Sequence, residues 1–84
     1  MVGLIILNVR ADRTLDCIGL YCPEPVFRTR IELDKMKVGE ILNVLADDPA
    51  AEADIKSLVK NLGQELVKVN SEGKSVRILI RKVR

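Results

Sequence analysis

Residue types that often carry catalysis or binding are scarce in this 84-residue chain, which has no histidine, no tryptophan, one tyrosine and one phenylalanine. Without histidine there is no obvious general base for a cysteine-protease-like mechanism. The two cysteines, Cys17 and Cys22, would leave a zinc ion two ligands short. With two aromatic rings in all, the chain has no stacking platform for nucleic-acid bases. We therefore expect no metal site, no cofactor and no direct binding of nucleic acid.

Long apolar runs and disulfide-forming patterns are also absent. The apolar stretch at residues 2–7 is too short to span a bilayer, and it has neither a basic leader nor a small-residue cleavage site. Two cysteines fit a reducing compartment better than a disulfide-stapled secreted scaffold. We therefore expect a cytoplasmic protein without a membrane anchor.

The length and composition predict one domain with an aliphatic core. Hydrophobic residues make up 48% of the chain and aromatic residues 2%, so Tyr21 and Phe27 are the only large rings available to the core. Residues 11–84 are expected to form the domain. Residues 1–10 are expected to be an apolar extension, either an extra strand or a tail laid on the domain, and an exposed apolar edge there could also mediate self-association.

Periodicity predicts the order strand, helix, strand, helix, strand, strand. Strands are expected at residues 13–17, 41–46, 65–70 and 75–82. The first helix is expected at residues 23–37, with its apolar positions at Val26, Phe27, Ile31, Leu33 and Met36. Such an order is typical of a two-layer α/β sandwich with right-handed crossovers.

A helix-start signal precedes the second helix, whose apolar residues recur at Ile55, Leu58, Val59 and Leu62. Asp47 and Asp48 are interpreted as capping carboxylates, with Pro49 at the first helical position and Gly63 as the left-handed end.

The stretch from Leu15 to Pro25 places Cys22 at the expected start of the first helix. Pro23 suits a first helical position, Pro25 is tolerated in the first turn, and Gly19 permits a tight turn off the strand. A helix N-terminus favours thiolate over thiol, whereas the nearby Glu24 carboxylate opposes it. We therefore expect a modest lowering of the pKa of Cys22.

The motif Gly19-Leu20-Tyr21-Cys22-Pro23-Glu24-Pro25 resembles the TusA (SirA-like) family of small sulfur-carrier proteins. The resemblance extends over residues 12–82 and includes further matches in the same order: Leu15-Asp16, Asp47-Asp48-Pro49-Ala50, Asp54-Ile55, Gly63 and Ile80-Arg81-Lys82. It implies two helices on one face of a mixed four-stranded sheet. It also implies that Cys22 is the catalytic residue that carries a persulfide.

A carrier of this kind is expected to take sulfur from a cysteine desulfurase or a rhodanese-like donor and to deliver it to an acceptor protein. Similar proteins serve tRNA thiolation, cofactor sulfuration or sulfur metabolism. It would act stoichiometrically rather than as a stand-alone enzyme. Leu20, Tyr21, Glu24 and Arg28 are expected to surround the thiol and to contact partners.

Cys17 has two interpretations. As a residue at the end of a strand, it is expected to be a small apolar side chain in the core. The alternative is a resolving thiol that closes a disulfide with Cys22 and releases sulfide.

The basic end of the chain also has two interpretations. Residues 74–84 contain five basic residues and no acidic one, whereas residues 47–54 contain four acidic residues and no basic one. The first interpretation is a solvated edge strand that discourages aggregation. The alternative is a regulatory or binding module of another class, in which Arg77, Arg81 and Lys82 contact RNA or protein and Cys22 only packs.

Overall fold

The computed structural model describes residues 11–84, which contain four strands and two helices. The expected extension at residues 1–10 lies outside the described residues. In chain order the elements are β1 (Arg13–Cys17), α1 (Glu24–Lys35), β2 (Ile41–Ala46), α2 (Ala51–Leu62), β3 (Glu65–Glu72) and β4 (Ser75–Arg81).

The four strands form one mixed sheet in the order β1-β2-β4-β3. Strands β1 and β2 are parallel, and the other two pairings are antiparallel. Alternate residues of β2 and β4 belong to the same buried cluster as residues of both helices, so both helices cover one face of the sheet. The predicted α/β fold, with its order of elements, is thereby confirmed.

The core is aliphatic and contains neither aromatic ring. Leu42 and Val44 of β2 lie opposite Ile80 and Ile78 of β4, and all four side chains are fully buried. The two rings expected in the core are instead exposed, Tyr21 by 67% and Phe27 by 56%.

Helix α1 and its C-cap place three of the five predicted apolar positions against the core: Leu33 and Met36 are buried and Val26 packs on the core cluster. Pro25, Thr29 and Leu33 are buried, whereas Phe27 and Ile31 point to solvent. The residues Pro25, Thr29 and Leu33 and the residues Phe27 and Ile31 both recur at a helical spacing. The expectation that Phe27 and Ile31 face the core was wrong, because Thr29 lies on the buried face instead. Its hydroxyl donates to the Pro25 carbonyl at 2.7 Å, so it is buried without an unpaired polar atom.

Both ends of α1 differ from expectation. Pro23 occupies the N-cap and Glu24 is the first helical residue, one position later than predicted. At the other end the helix stops at Lys35, and the Lys82 ammonium donates to the Leu33 and Met36 carbonyls at 2.7 and 2.9 Å. A cation at a helix C-terminus satisfies carbonyls that have no partner within the helix.

Helix α2 begins at Ala51 with Ala50 as its N-cap, and no side chain caps it. The predicted capping roles of Asp47 and Asp48 and the predicted first helical position of Pro49 were therefore wrong. The end was predicted correctly: Gly63 has φ 73°, its N–H bonds the Lys60 carbonyl, and the helix stops there.

Strands β3 and β4 form the expected hairpin, although β3 is two residues longer than predicted. Gly73 adopts φ 62° in the tight connection. The pairing shifts by one residue between Leu66 and Lys68, which marks a β-bulge.

Candidate functional site

The site lies where two loops meet at one edge of the sheet. Strands β1 and β2 run parallel, with Cys17 opposite Ala46 at their carboxyl ends. Each strand is followed by a loop that enters a helix, so the loop at residues 18–23 and the loop at residues 47–50 lie side by side. The carboxyl ends of parallel strands are a common place for binding and catalysis in α/β folds.

Two aspartates of the second loop hold the backbone of the first. The Gly19 N–H donates to Asp47 Oδ1 at 2.9 Å, and the Cys22 N–H donates to Asp48 Oδ2 at 2.8 Å. The other oxygen of Asp48 accepts the Ala50 N–H at 3.1 Å. Asp48 therefore links the loop at residues 18–23, here called the cysteine loop, to the residue before α2. This contact between the two loops takes the place of the capping role expected for Asp48.

The cysteine loop is also ordered by its own backbone. Gly19 has φ 85°, a conformation that glycine adopts at little cost, and the Leu20 N–H bonds the Cys17 carbonyl at 3.1 Å. The Glu24 N–H bonds the Tyr21 carbonyl at 2.9 Å and so brackets the cysteine. Cys22 is an exposed free thiol on a backbone held from both sides.

Carboxylates raise the pKa of the Cys22 thiol above its ordinary value. The largest cause is a hydrogen bond to the Asp54 side chain, followed by desolvation and by the negative charges of Asp54 and Asp48. The expected lowering by the helix N-terminus was therefore wrong. Pro23 and Pro25 supply no N–H to the thiol, and the N–H of Cys22 itself is already used by Asp48.

Asp54 is the residue that the sequence analysis missed. It lies in the first turn of α2, and it is the first cause of the raised pKa of the Cys22 thiol. The sequence carried a signal, since Asp54 belongs to the acidic stretch at residues 47–54 and to the quoted family matches. Nothing local joined it to a cysteine 32 positions earlier.

The residues expected to surround the thiol have different exposures. Tyr21, Glu24 and Arg28 are exposed, and Arg28 pairs with Glu24 at 3.1 Å on the surface of α1. Leu20 is half-buried and packs against the core cluster. Contact of these four residues with a partner stays a prediction.

Cys17 is fully buried in the core cluster, and burial raises the pKa of its thiol. Both cysteines are free thiols. These observations favour the packing interpretation of Cys17, because a resolving thiol must reach Cys22 from an accessible position.

Strand β4, which contains Arg77 and Arg81, is paired on both sides with β2 and β3, so the expected solvated edge strand was wrong. Lys82 binds the end of α1, and Arg81 pairs with Glu65 of β3 at 3.0 Å, while Arg77 is exposed. Between residues 11 and 84, no three His, Cys, Asp or Glu side chains are grouped closely enough to hold a metal ion. In the same part of the chain, neither helix is long and apolar enough to cross a membrane.

Comparisons with known proteins point to one family. The family described as "Sulfurtransferase TusA" matches residues 13–82. A "Putative sulfur carrier protein" of Archaeoglobus fulgidus is 67% identical over 55 residues, which cover 66% of this chain and 71% of that protein. A protein of the same name from Aquifex aeolicus is 47% identical over 70 residues, covering 82% of this chain. The chain matches only 36% of the length of the Aquifex protein.

The fold has a solved counterpart. The crystal structure of a SirA-like protein from Desulfitobacterium hafniense superposes with a TM-score of 0.75 at 20% identity, over 86% of this chain and 99% of that one. At this identity the likeness concerns the fold.

Proposed function

Since the chain belongs to the TusA sulfurtransferase family, we propose that it carries sulfur as a persulfide on Cys22. The observation that supports this assignment is the contrast between its two thiols. Cys22 is exposed at the meeting point of two ordered loops, whereas Cys17 is fully buried. A thiol that exchanges sulfur with other proteins must be accessible to them.

The transfer is an exchange at sulfur. The Cys22 thiolate attacks the outer sulfur of a cysteine persulfide on the donor, an S–S bond forms to Cys22, and the donor's own S–S bond breaks. The donor cysteine leaves as a thiolate and can take up the proton that Cys22 lost. Delivery repeats the exchange with Cys22 as the leaving thiolate, so the cycle needs no external oxidant or reductant.

The backbone contacts suit this task. In each transfer the attacking sulfur approaches the transferred sulfur in line with the S–S bond that breaks, so the position of the Cys22 Sγ must be well defined. The Asp48 carboxylate fixes the Cys22 N–H at 2.8 Å, and the Asp47 carboxylate fixes Gly19 at the other end of the loop. The loop thus presents the thiol on a defined backbone.

The partners follow from the chemistry. A cysteine desulfurase or a rhodanese-like protein is the class of donor that bears a cysteine persulfide, and an acceptor protein with a nucleophilic sulfur is the class that receives it. Thiolation of tRNA, sulfuration of a cofactor and sulfur metabolism are the destinations that this proposal includes. We place the protein in the cytoplasm, where thiols stay reduced.

Intact-protein mass spectrometry tests the proposal. The wild type, Cys17→Ser and Cys22→Ser are each incubated with a cysteine desulfurase and cysteine, then measured with and without reductant. We expect a gain of one sulfur mass that reductant removes, in the wild type and Cys17→Ser but not in Cys22→Ser. Failure of the wild type to gain sulfur from several active donors, including a rhodanese-like one, would refute the assignment.

A further inference from the structure

The cysteine loop is tied to the body of the fold by the two aspartates that follow β2. The N–H groups of Ile18 and Leu20 bond atoms of β1, two and three residues earlier, at 2.9 and 3.1 Å. These two bonds shape the loop locally. Among residues 11–84, the hydrogen bonds that connect the loop to a distant part of the chain are those to Asp47 and Asp48. The direction of the loop relative to the sheet therefore depends on this pair.

Asp47 binds the loop at its most flexible residue. Gly19, whose N–H donates to Asp47 Oδ1 at 2.9 Å, has φ 85°. Glycine has more backbone freedom than any other residue, so a released loop would swing most easily at this position. Leu20 packs against the core cluster, but apolar packing is not directional. The bond to Asp47 is therefore a directional restraint on the chain between β1 and Cys22.

The Asp47 carboxylate is itself held on a firm part of the fold. Asp47 directly follows β2, which lies between β1 and β4 and whose last residue, Ala46, is fully buried. Such central strands open only together with large parts of a domain. The Asp47 side chain is half-buried, and no ion pair among residues 11–84 includes it. The bond to the Gly19 N–H is thus the contact that accounts for its position.

From these contacts we propose that Asp47 is a positioning residue for sulfur transfer, which acts through Gly19 to fix the direction in which the Cys22 Sγ meets a partner's sulfur. The inference rests on the proposed function. Transfer between two proteins requires the attacking sulfur to lie in line with the S–S bond that breaks, and both backbones are constrained when the proteins are docked. A small alkylating reagent can approach an exposed thiol from any open direction. Loss of the Asp47 bond should therefore slow transfer between proteins and leave the reactivity toward small reagents unchanged.

The test compares a protein donor with a small reagent in one variant. A cysteine desulfurase that already bears its persulfide is mixed with increasing excess of Asp47→Ala, and the single-turnover rate of sulfur transfer is measured by mass spectrometry. In parallel, Cys22 is alkylated by iodoacetamide over a range of pH. The carboxylates of Asp54 and Asp48, which raise the pKa of Cys22, stay in place, and Cys17 is buried, so the alkylation rate reports on Cys22.

The two rates should respond differently to the substitution. We expect the saturating rate of transfer to fall about tenfold or more, because a small misplacement of the reacting sulfur is costly. The carrier concentration that gives half of the saturating rate should change by less than about twofold, because the surface that docks with the donor is intact. The alkylation rate should also stay within about twofold of the wild type at each pH.

Matched variants separate positioning from stability and from charge. Asp47→Asn keeps an oxygen acceptor for the Gly19 N–H and should retain most of the transfer rate. Lys82→Met perturbs the end of α1 far from the cysteine loop, and Asp34→Ala removes an exposed carboxylate that is in no ion pair among residues 11–84, so both should transfer sulfur at the wild-type rate. Thermal unfolding checks that each variant is folded, and Asp47→Leu replaces Asp47→Ala if the latter is not.

The outcomes distinguish the inference from the proposed function. If Asp47→Ala accepts sulfur at the saturating rate of the wild type, the positioning role is refuted and the carrier function stands. A higher half-saturating concentration at an unchanged saturating rate would make Asp47 a contact for the donor, and an equal loss in Lys82→Met would make the effect one of stability. A parallel fall in alkylation would make it one of access to the thiol, and each of these three results overturns the inference. If the wild type takes no sulfur from this donor or from a rhodanese-like one, the carrier function itself fails.

Discussion

Replacing Asp48 by alanine should loosen the junction that positions Cys22. The substitution removes two hydrogen bonds to a carboxylate, one from the Cys22 N–H at 2.8 Å and one from the Ala50 N–H at 3.1 Å. Bonds to charged groups contribute more than neutral ones, but this carboxylate is only half-buried, so we assign about 1 kcal/mol to each bond and about 2 kcal/mol to the pair. For a domain of this size, a loss of about 2 kcal/mol lowers Tm by roughly 8 to 16 °C.

Thermal unfolding followed by circular dichroism measures this loss. Asp34→Ala is the matched control, because Asp34 is exposed on α1 and its carboxylate forms no hydrogen bond or ion pair among residues 11–84. Asp48→Asn keeps one oxygen acceptor and should lose about half as much stability as Asp48→Ala. If Asp48→Ala and Asp34→Ala unfold within 2 °C of each other, at about the resolution of a 0.5 kcal/mol difference, the two bonds do not hold the loop.

Two further predictions concern the two thiols and Lys82, which follows β4. Because the pKa of Cys22 is raised, the rate at which Cys22 is alkylated should still be increasing at and above pH 9 and should fall about tenfold per pH unit below that pKa. A Cys22 alkylation rate that levels off near pH 7 would contradict the direction of the shift. Cys17 is buried and should be alkylated only after unfolding. Lys82→Met should lower the free energy of unfolding, measured by chemical denaturation, by roughly 1 to 3 kcal/mol, because it removes two hydrogen bonds from a charged group to carbonyls at the end of α1. Lys74→Met, in the exposed hairpin turn, is the control and should lower it little. Equal stability of the two variants would show that Lys82 does not stabilise this helix end.

Most of the fold followed from local patterns. Strand β2 was predicted with its observed bounds, and Gly63 was identified as the end of α2 because a left-handed residue after a periodic run has one common use. The start of α2 was misplaced by local reasoning as well, because Asp-Asp-Pro is a frequent capping sequence. Instead, one oxygen of each carboxylate accepts an N–H group of residues 18–23, and no residue near the two aspartates in sequence indicates these bonds.

The buried face of α1 shows why periodicity alone was insufficient. The spacing of Phe27 and Ile31 fits a helix face no less than the spacing of the buried residues does. On hydrophobicity alone, Phe27 would be buried in preference to Thr29. Burial of Thr29 becomes acceptable only because its hydroxyl bonds the Pro25 carbonyl within the same helix. The face with Pro25, Thr29 and Leu33 therefore packs against the sheet, and the Phe27 ring stays at the surface.

The sequence by itself determined the order of the elements and the family, because the first depends on short-range periodicity and the second on a motif of seven consecutive residues with further matches along the chain. The same motif led to the proposal that Cys22 is the thiol that carries sulfur. Only the tertiary structure decided the direction in which the pKa of that thiol is shifted. The parallel pairing of β1 and β2 brings their following loops together, and this places the Asp48 carboxylate on the backbone N–H of Cys22. Asp54, in the helix that follows the second loop, is the main cause of the raised pKa of the thiol. Electrostatic effects on a pKa act over a few ångströms of space. A carboxylate 32 residues away in the chain is therefore the largest cause of this shift.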